Sequence, residues 1–159
     1  MTLQAQGLGK LVEVPDSPPG ETFWAGAFDY RDGDATRRSV FYLCVRGAHH
    51  PGEAQLAFAR RILAAIDSHI DGARRLLAER LRADPGFFGV DAATAARTLE
   101  KGDALLPFDQ PEPTFHDGET WQIRFAESPL PRCEAFGVSV AFAGMTAVGV
   151  EDLATSTPA

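Results

Sequence analysis

Residues 52–83 read GEAQLAFARRILAAIDSHIDGARRLLAERLRA, and this stretch decides the fold. On a helix its apolar side chains fall within an arc of about 100°, and its charged side chains occupy the other side. The apolar stripe consists of Ala59, Ile62, Leu63, Ile66, Ile70, Ala73, Leu77 and Leu81. The stripe keeps its phase through Gly72, so the pattern predicts one long helix, bent at most near Asp71 and Gly72. Pro51 is placed to begin this helix, and Asp84-Pro85-Gly86 is placed to end it.

Strand patterns flank the long helix on both sides. Three precede it (8–14, 22–30 and 39–45), and four follow it (114–116, 119–126, 136–142 and 146–150). Asp117-Gly118 predicts a tight hairpin, because glycine readily adopts the positive φ that such a turn needs. Three prolines in 107–113 predict an extended connector. A second, shorter helix is predicted over 91–101, with Asp91 as its N-cap and Gly102 as its stop.

This order predicts an α+β domain with a largely antiparallel sheet. N- and C-terminal strands build the sheet, and one long and one short helix lie between them. Residues 1–153 are predicted to form a single domain, followed by a frayed tail at 154–159. Residues 39–45 are apolar on both faces of their strand, a pattern typical of a central strand covered on both sides.

The charge is unevenly distributed along the chain. The sequence has 15 Lys and Arg against 22 Asp and Glu, which gives a net charge of −7. Residues 100–159 contain three basic and ten acidic side chains, so the whole excess lies in the last third. Nucleic acid and anionic membranes are poor partners for that region, because both require a positive surface.

The two cysteines favour a reducing compartment. Cys44 lies in an apolar run and Cys133 beside Pro131 and Arg132, so they do not read as a disulfide framework. The N-terminus lacks the pattern of a signal peptide, and no stretch is apolar enough over a sufficient length to span a bilayer. The sequence therefore predicts a cytoplasmic location.

His49 and His50 are the most suggestive candidates for a ligand site. They lie between a predicted strand and the long helix, where sites often occur. Adjacent histidines on a strand point apart, and no third ligand lies at metal spacing, so no metal site is predicted. Cys44 as a nucleophile would need exposure and a base, whereas its apolar setting indicates burial. No phosphate loop or nucleophile elbow is present, and we predict no cofactor and no catalytic residue.

The acidic residues of the last third are the other candidate surface. Several flank predicted strand ends and turns, where they could meet at one end of the sheet. The candidate partner-binding residues are Glu112, Asp117, Glu119, Glu151 and Asp152.

Short runs at both ends of the chain carry a resemblance to known proteins. These runs are 22–26 (TFWAG), 121–125 (WQIRF), 137–142 (GVSVAF) and 148–153 (VGVEDL). Together they resemble small bacterial domains, some of which are similar to immunity proteins of polymorphic toxin systems. The resemblance implies an acidic protein that neutralises a basic toxin, and it carries no catalytic motif.

Three function classes follow from these observations. The leading hypothesis is a non-enzymatic protein-binding module, in its sharpest form an immunity or inhibitor protein, that meets a basic partner through its acidic C-terminal surface. The second is a small enzyme or ligand-binding domain with a site at His49-His50, facing Asp117 or Glu151. The third is a structural or assembly subunit, a homo-oligomer in which a second copy covers the apolar sheet face.

Overall fold

The computed structural model describes residues 1–100, 107–134 and 137–153. Within these residues eight strands form one sheet, in which each strand lies beside its neighbours in the sequence. The strands are β1 (Thr2–Ala5), β2 (Gly9–Glu13), β3 (Glu21–Asp32), β4 (Ala35–Arg46), β5 (Asp109–Phe115), β6 (Thr120–Glu127), β7 (Val138–Ala143) and β8 (Thr146–Asp152). The prediction of an α+β fold with a largely antiparallel sheet is confirmed.

The sheet consists of two antiparallel halves joined by one parallel pair of strands. β1–β4 form the first half and β5–β8 the second. β4 and β5 run parallel, and only Tyr42–Thr114 and Leu43–Phe115 are paired between them. The chain crosses from β4 to β5 through α1 (Glu53–Ala64), α2 (Ile66–Ala83) and α3 (Ala92–Leu99). No helix of the described chain is long and apolar enough to cross a lipid bilayer.

The prediction of one long and one short helix was wrong, because the chain turns at Ala65. Ala65 has φ −118° and ψ 24°, and its N–H donates to Ile62 O at 3.0 Å. The Ser68 hydroxyl donates to Ala65 O at 2.9 Å, which satisfies a carbonyl at the break. Ile62 and Ile66 are both buried on either side of the turn, so the apolar stripe passes through it in phase. Periodicity alone therefore could not reveal the break.

The third helix begins as predicted. The Asp91 carboxylate accepts the N–H of Thr94 at 2.7 Å, so Asp91 is confirmed as an N-cap. The predicted stop at Gly102 lies outside the described residues, as does the predicted tail at 154–159.

Residues 109–115 form a central strand, whereas the prolines of 107–113 had predicted a connector. Pro111 O accepts the Ser39 hydroxyl of β4 at 2.7 Å, so the polar groups of Pro111 face β4. Pro113 faces the same side, because backbone groups alternate along a strand. The side that lacks N–H groups is thus the one where β4 and β5 pair only at two positions, and both prolines keep their places opposite β6, with Pro111 paired to Phe125 and Pro113 to Ile123. This placement is what allows two prolines in an interior strand.

The main core lies between the helices and one face of the sheet. That face contributes Trp24, Phe41, Leu43, Phe115, Trp121, Ile123, Phe125 and Val140, all at most 1% exposed. Ile66, Ile70 and Leu77 of α2 belong to the same cluster. Both tryptophans are buried in this core, and so is the whole helix stripe except Leu63, which is half-buried.

The other face of the sheet is only partly covered in the described part of the chain. Val40 and Tyr42 of β4 point to it and are half-buried, as are Phe23 and Ala25 of β3, whereas Cys44 on the same face is 1% exposed. The expectation that both faces of β4 are covered was therefore wrong for Val40 and Tyr42. An antiparallel sheet tolerates one open face, and β4 owes its apolar pattern to its central position.

Two glycines provide a test of this packing. Gly72 lies within α2 with open space around its Cβ position, so Gly72→Ala should stabilise the fold by about 0.5–1 kcal/mol. Gly26 faces the core, where a Cβ would overlap the Phe41 ring and Leu11, so Gly26→Ala should cost about 1–3 kcal/mol. Urea unfolding of both variants measures the two effects. A destabilised Gly72→Ala variant would contradict a helical conformation of Gly72 within α2.

Candidate functional site

A cleft of about 440 Å³ opens where β4 ends and α1 begins. The turn between β5 and β6 forms its opposite wall. Its lining includes Arg46, His50, Gln55, Phe58, Asp117 and Glu119. The cleft thus brings one of the two candidate histidines together with two of the five candidate acids.

Gln55 ties the two walls of the cleft together. Its side-chain amide donates to Cys44 O at 2.9 Å, Phe115 O at 3.3 Å and His116 O at 3.4 Å. The first carbonyl belongs to β4, and the other two lie at the end of β5. A residue in the first turn of α1 therefore fixes the position of both parallel strands.

Trp24 anchors the loop that carries the histidines. Its indole N–H donates to His49 O at 2.9 Å, and its ring lies 5.3 Å from the His50 ring. His50 lines the cleft, whereas His49 lines a separate shallow opening beside Glu21 and Thr22. The two histidines therefore line two different openings.

The cleft has charges of both signs at its rim. Glu119 forms an ion pair with Arg61 at 3.0 Å, and the Arg61 guanidinium lies 5.2 Å from the centre of the Phe58 ring. Arg46 pairs with Glu21 at 2.9 Å. The Asp117 side chain is exposed in the turn before Gly118, whose φ is +68°.

The other candidate acids lie away from the cleft. Glu112 pairs with Arg124 at 3.5 Å, and burial raises the pKa of Glu112 above its usual range. Glu151 is exposed on β8, opposite Ser139. Asp152 pairs with Arg132 at 3.3 Å, and its side chain is only 8% exposed. The five acids predicted as one surface therefore occupy different places in the sheet.

The buried Cys44 thiol is poorly suited to nucleophilic catalysis. Cys44 is 1% exposed, and burial, followed by the charge of Glu21, raises the pKa of its thiol to about 11. Burial, followed by the charge of Arg46, lowers the pKa of His116, so its imidazole is neutral at pH 7. A thiol with this pKa is almost entirely protonated at neutral pH and is a weak nucleophile.

Metal-ligating side chains do not cluster in the described ranges. No three or more His, Cys, Asp or Glu residues there are arranged to hold a metal ion. His50 has Asp117 and Glu119 for neighbours in the cleft, without forming such a group.

Comparisons of the chain with protein families, curated proteins and solved structures gave no match.

Sequence reasoning missed three residues that shape the cleft: Arg46, Gln55 and Arg61. Arg61 lies on the polar side of the predicted helix, whereas Gln55 lies within the arc of the apolar stripe, in line with Ala59 and Ile62. Arg46 follows the apolar run of β4 and marks the point where the strand leaves the core. The position of Arg46 and the polar side chain of Gln55 within the stripe were the local signals, although the partners of Gln55 lie on strands far apart in sequence.

The Gln55 bonds can be tested by substitution. Gln55→Ala removes the donor shared by three carbonyls, so the free energy of unfolding should fall by about 1–2 kcal/mol. Gln6→Ala, at an exposed glutamine in the turn between β1 and β2, is the matched control and should change it little. Chemical unfolding measures both. Equal stability of the two variants would show that Gln55 does not hold the strands.

The raised pKa of Cys44 predicts its reactivity. At pH 8 a thiol with a pKa of about 11 is ionised in roughly one molecule in a thousand. In a Cys133→Ala background, a thiol-exchange reagent should therefore label Cys44 only slowly in the folded protein and completely in urea. Rapid labelling of the native protein would show that Cys44 is accessible and ionised.

Proposed function

We propose that this protein is a non-enzymatic binding module that accepts a basic side chain of a protein partner in the cleft between His50 and the β5–β6 turn. The observation that carries the proposal is the meeting of Asp117 and Glu119 with His50 around one cleft. Both acids come from the part of the chain that holds the whole excess of negative charge.

The cleft suits the side chain of lysine or arginine better than a bulky ligand. Its volume of about 440 Å³ lies at the lower end of the range for ligand pockets. Phe58 lines it and already has one guanidinium, that of Arg61, above its ring. A second cation could use the same aromatic surface for its apolar stem, while its charged group meets Asp117.

Glu119 can exchange its ion-pair partner Arg61 for an incoming cation. Its ion pair with Arg61 is exposed on both sides, with side-chain exposures of 62% and 56%. Such surface pairs contribute little to stability, so an incoming arginine or lysine can displace Arg61 at small cost.

Binding without catalysis is favoured by the chemistry of the lining. The Cys44 carbonyl accepts a hydrogen bond from Gln55, and the Cys44 thiol has a pKa of about 11. No serine, threonine or cysteine is among the described residues that line the cleft, so the pairing of such a nucleophile with a base is missing there. In its sharpest form the module is an immunity or inhibitor protein, the role implied by the sequence resemblance, with the basic surface of a toxin as its partner.

A second candidate function is the binding of a small cationic ligand in the same cleft. It is favoured by the convergence of His50, Asp117 and Glu119, which would surround a single amine as readily as a protein side chain. The two candidate functions differ in the size of the partner, which is a protein in the first and a small cation in the second.

The test compares two double variants in which acids become amides. Asp117→Asn with Glu119→Gln removes both cleft charges, whereas Asp71→Asn with Glu79→Gln removes two exposed charges of α2. Partners captured by the wild-type protein from native extract are identified, and their association rates are measured at low and high salt. We expect the cleft variant to slow association and to lose its salt dependence, because electrostatic steering acts on the on-rate.

The control variant should associate at the wild-type rate. Asp67 is left out of the control, because its carboxylate accepts the backbone N–H of Arg31 and has a structural role. Equal association of both variants at every salt concentration would contradict the proposal. Titration with arginine amide and with spermidine tests the small-ligand candidate, which requires saturable binding that the cleft variant abolishes.

A further inference from the structure

The outer edge of β3 has a gap in its backbone pairing. β2 pairs with β3 only at Val12–Ala25 and Glu13–Trp24. Beyond these pairs, the N–H of Arg31 donates to the Asp67 carboxylate of α2 at 2.8 Å. Residues 25, 27, 29 and 31 direct their backbone groups to the same side, because direction alternates along a strand. Ala27 and Asp29 therefore face this edge with no opposite residue on β2.

A groove of about 370 Å³ lies along this gap. Ala27, Phe28 and Asp29 of β3 form one wall. The other is formed by Gly7 and Leu8, together with Arg60, Leu63 and Ala64 from the end of α1. The groove therefore offers unpaired strand positions beside apolar side chains.

Arg60 places a positive charge at the groove, and not all of its N–H donors have a hydrogen-bond partner. Its Nη2 atom reaches Glu53 at 3.6 Å, and the Glu53 side chain is 80% exposed. Its Nε atom is buried without a hydrogen-bond partner among the described residues. The Arg60 stem lies against Gly7, where a Cβ would come within 2.8 Å of Arg60 Cδ. The guanidinium is thus held at the groove, and a carboxylate is the group that its planar donors fit best.

We propose that this groove binds a short extended peptide as an additional strand on β3, with a carboxylate of the peptide at Arg60. Main-chain hydrogen bonds to Ala27 and Asp29 supply the strand pairing. Two free positions on the edge match a peptide of about four residues. The carboxylate comes either from the end of a chain or from an aspartate or glutamate side chain. This site is separate from the cleft at the β5–β6 turn, and neither proposal depends on the other.

The free protein provides the first measurement. Hydrogen exchange of the Ala27 and Asp29 amides should be faster than that of Phe28 and Tyr30, whose backbone groups point toward β4. Equal protection of all four amides would mean that the edge is already occupied, which overturns the proposal.

The second measurement uses three pooled libraries of acetylated pentapeptides as probes. One has free C-termini and no internal acid, the second has the same sequences with amidated C-termini, and the third is amidated with one internal glutamate. Amide shifts of Ala27 and Asp29 in ¹H–¹⁵N spectra report binding at the edge. We expect an acid-bearing library to bind about tenfold more tightly than the neutral amides. Preference for the first or the third library identifies the source of the carboxylate.

Two variants complete the test. Arg60→Gln should remove the tenfold preference while leaving weak binding of the neutral peptides, and Arg82→Gln, at an exposed arginine of α2, should retain it. Ala27→Pro removes one edge N–H and should abolish binding of all three libraries. Absence of shifts at Ala27 and Asp29 with every library would overturn the proposal. Equal binding of acidic and neutral peptides would overturn it as well.

Discussion

The fold depends on the two residue pairs that join β4 to β5. All other strand contacts are antiparallel and lie between neighbours in the sequence, so each half of the sheet can form from local contacts. The junction must instead bring together strands separated by the whole helical crossover, at a greater cost in loop entropy. Because Pro111 and Pro113 have no N–H, β5 lacks two backbone donors on the side that faces β4. Side chains add hydrogen bonds at the junction: the Ser39 hydroxyl donates to Pro111 O, and the Gln55 amide donates to three carbonyls.

The sequence predicted the elements of this fold better than their breaks and contacts. The apolar stripe from Ala59 to Leu81 identified the helical face, and Asp91 identified the start of α3, because both signals lie within a few residues. The turn at Ala65 left no trace in periodicity, since Ile62 and Ile66 remain in phase. The prolines at 111 and 113 gave a misleading signal, because their cost depends on which neighbour their missing N–H groups face. That neighbour is β4, far away in the sequence.

The candidate site was predictable in its parts and not in its assembly. Position between a strand and a helix singled out His50, and turn chemistry singled out Asp117. Their meeting depends on the parallel junction, which no local pattern encodes. The acidic surface was predicted from the charge distribution and from positions near strand ends and turns, and neither shows which acids are paired. Glu112 and Asp152 pair with arginines, whereas the Asp117 side chain is exposed at the rim of the cleft.

The carboxylate of Asp67 also limits what can pair with the outer edge of β3. A long unpaired strand edge is a template on which further chains can add, and many β proteins protect such edges. Here β2 covers β3 as far as Ala25, and Asp67 occupies the N–H of Arg31. The remaining opening is too short for the strand of another folded copy to extend the sheet. At this edge of β3, a single α2 side chain thus restricts strand addition to a short segment.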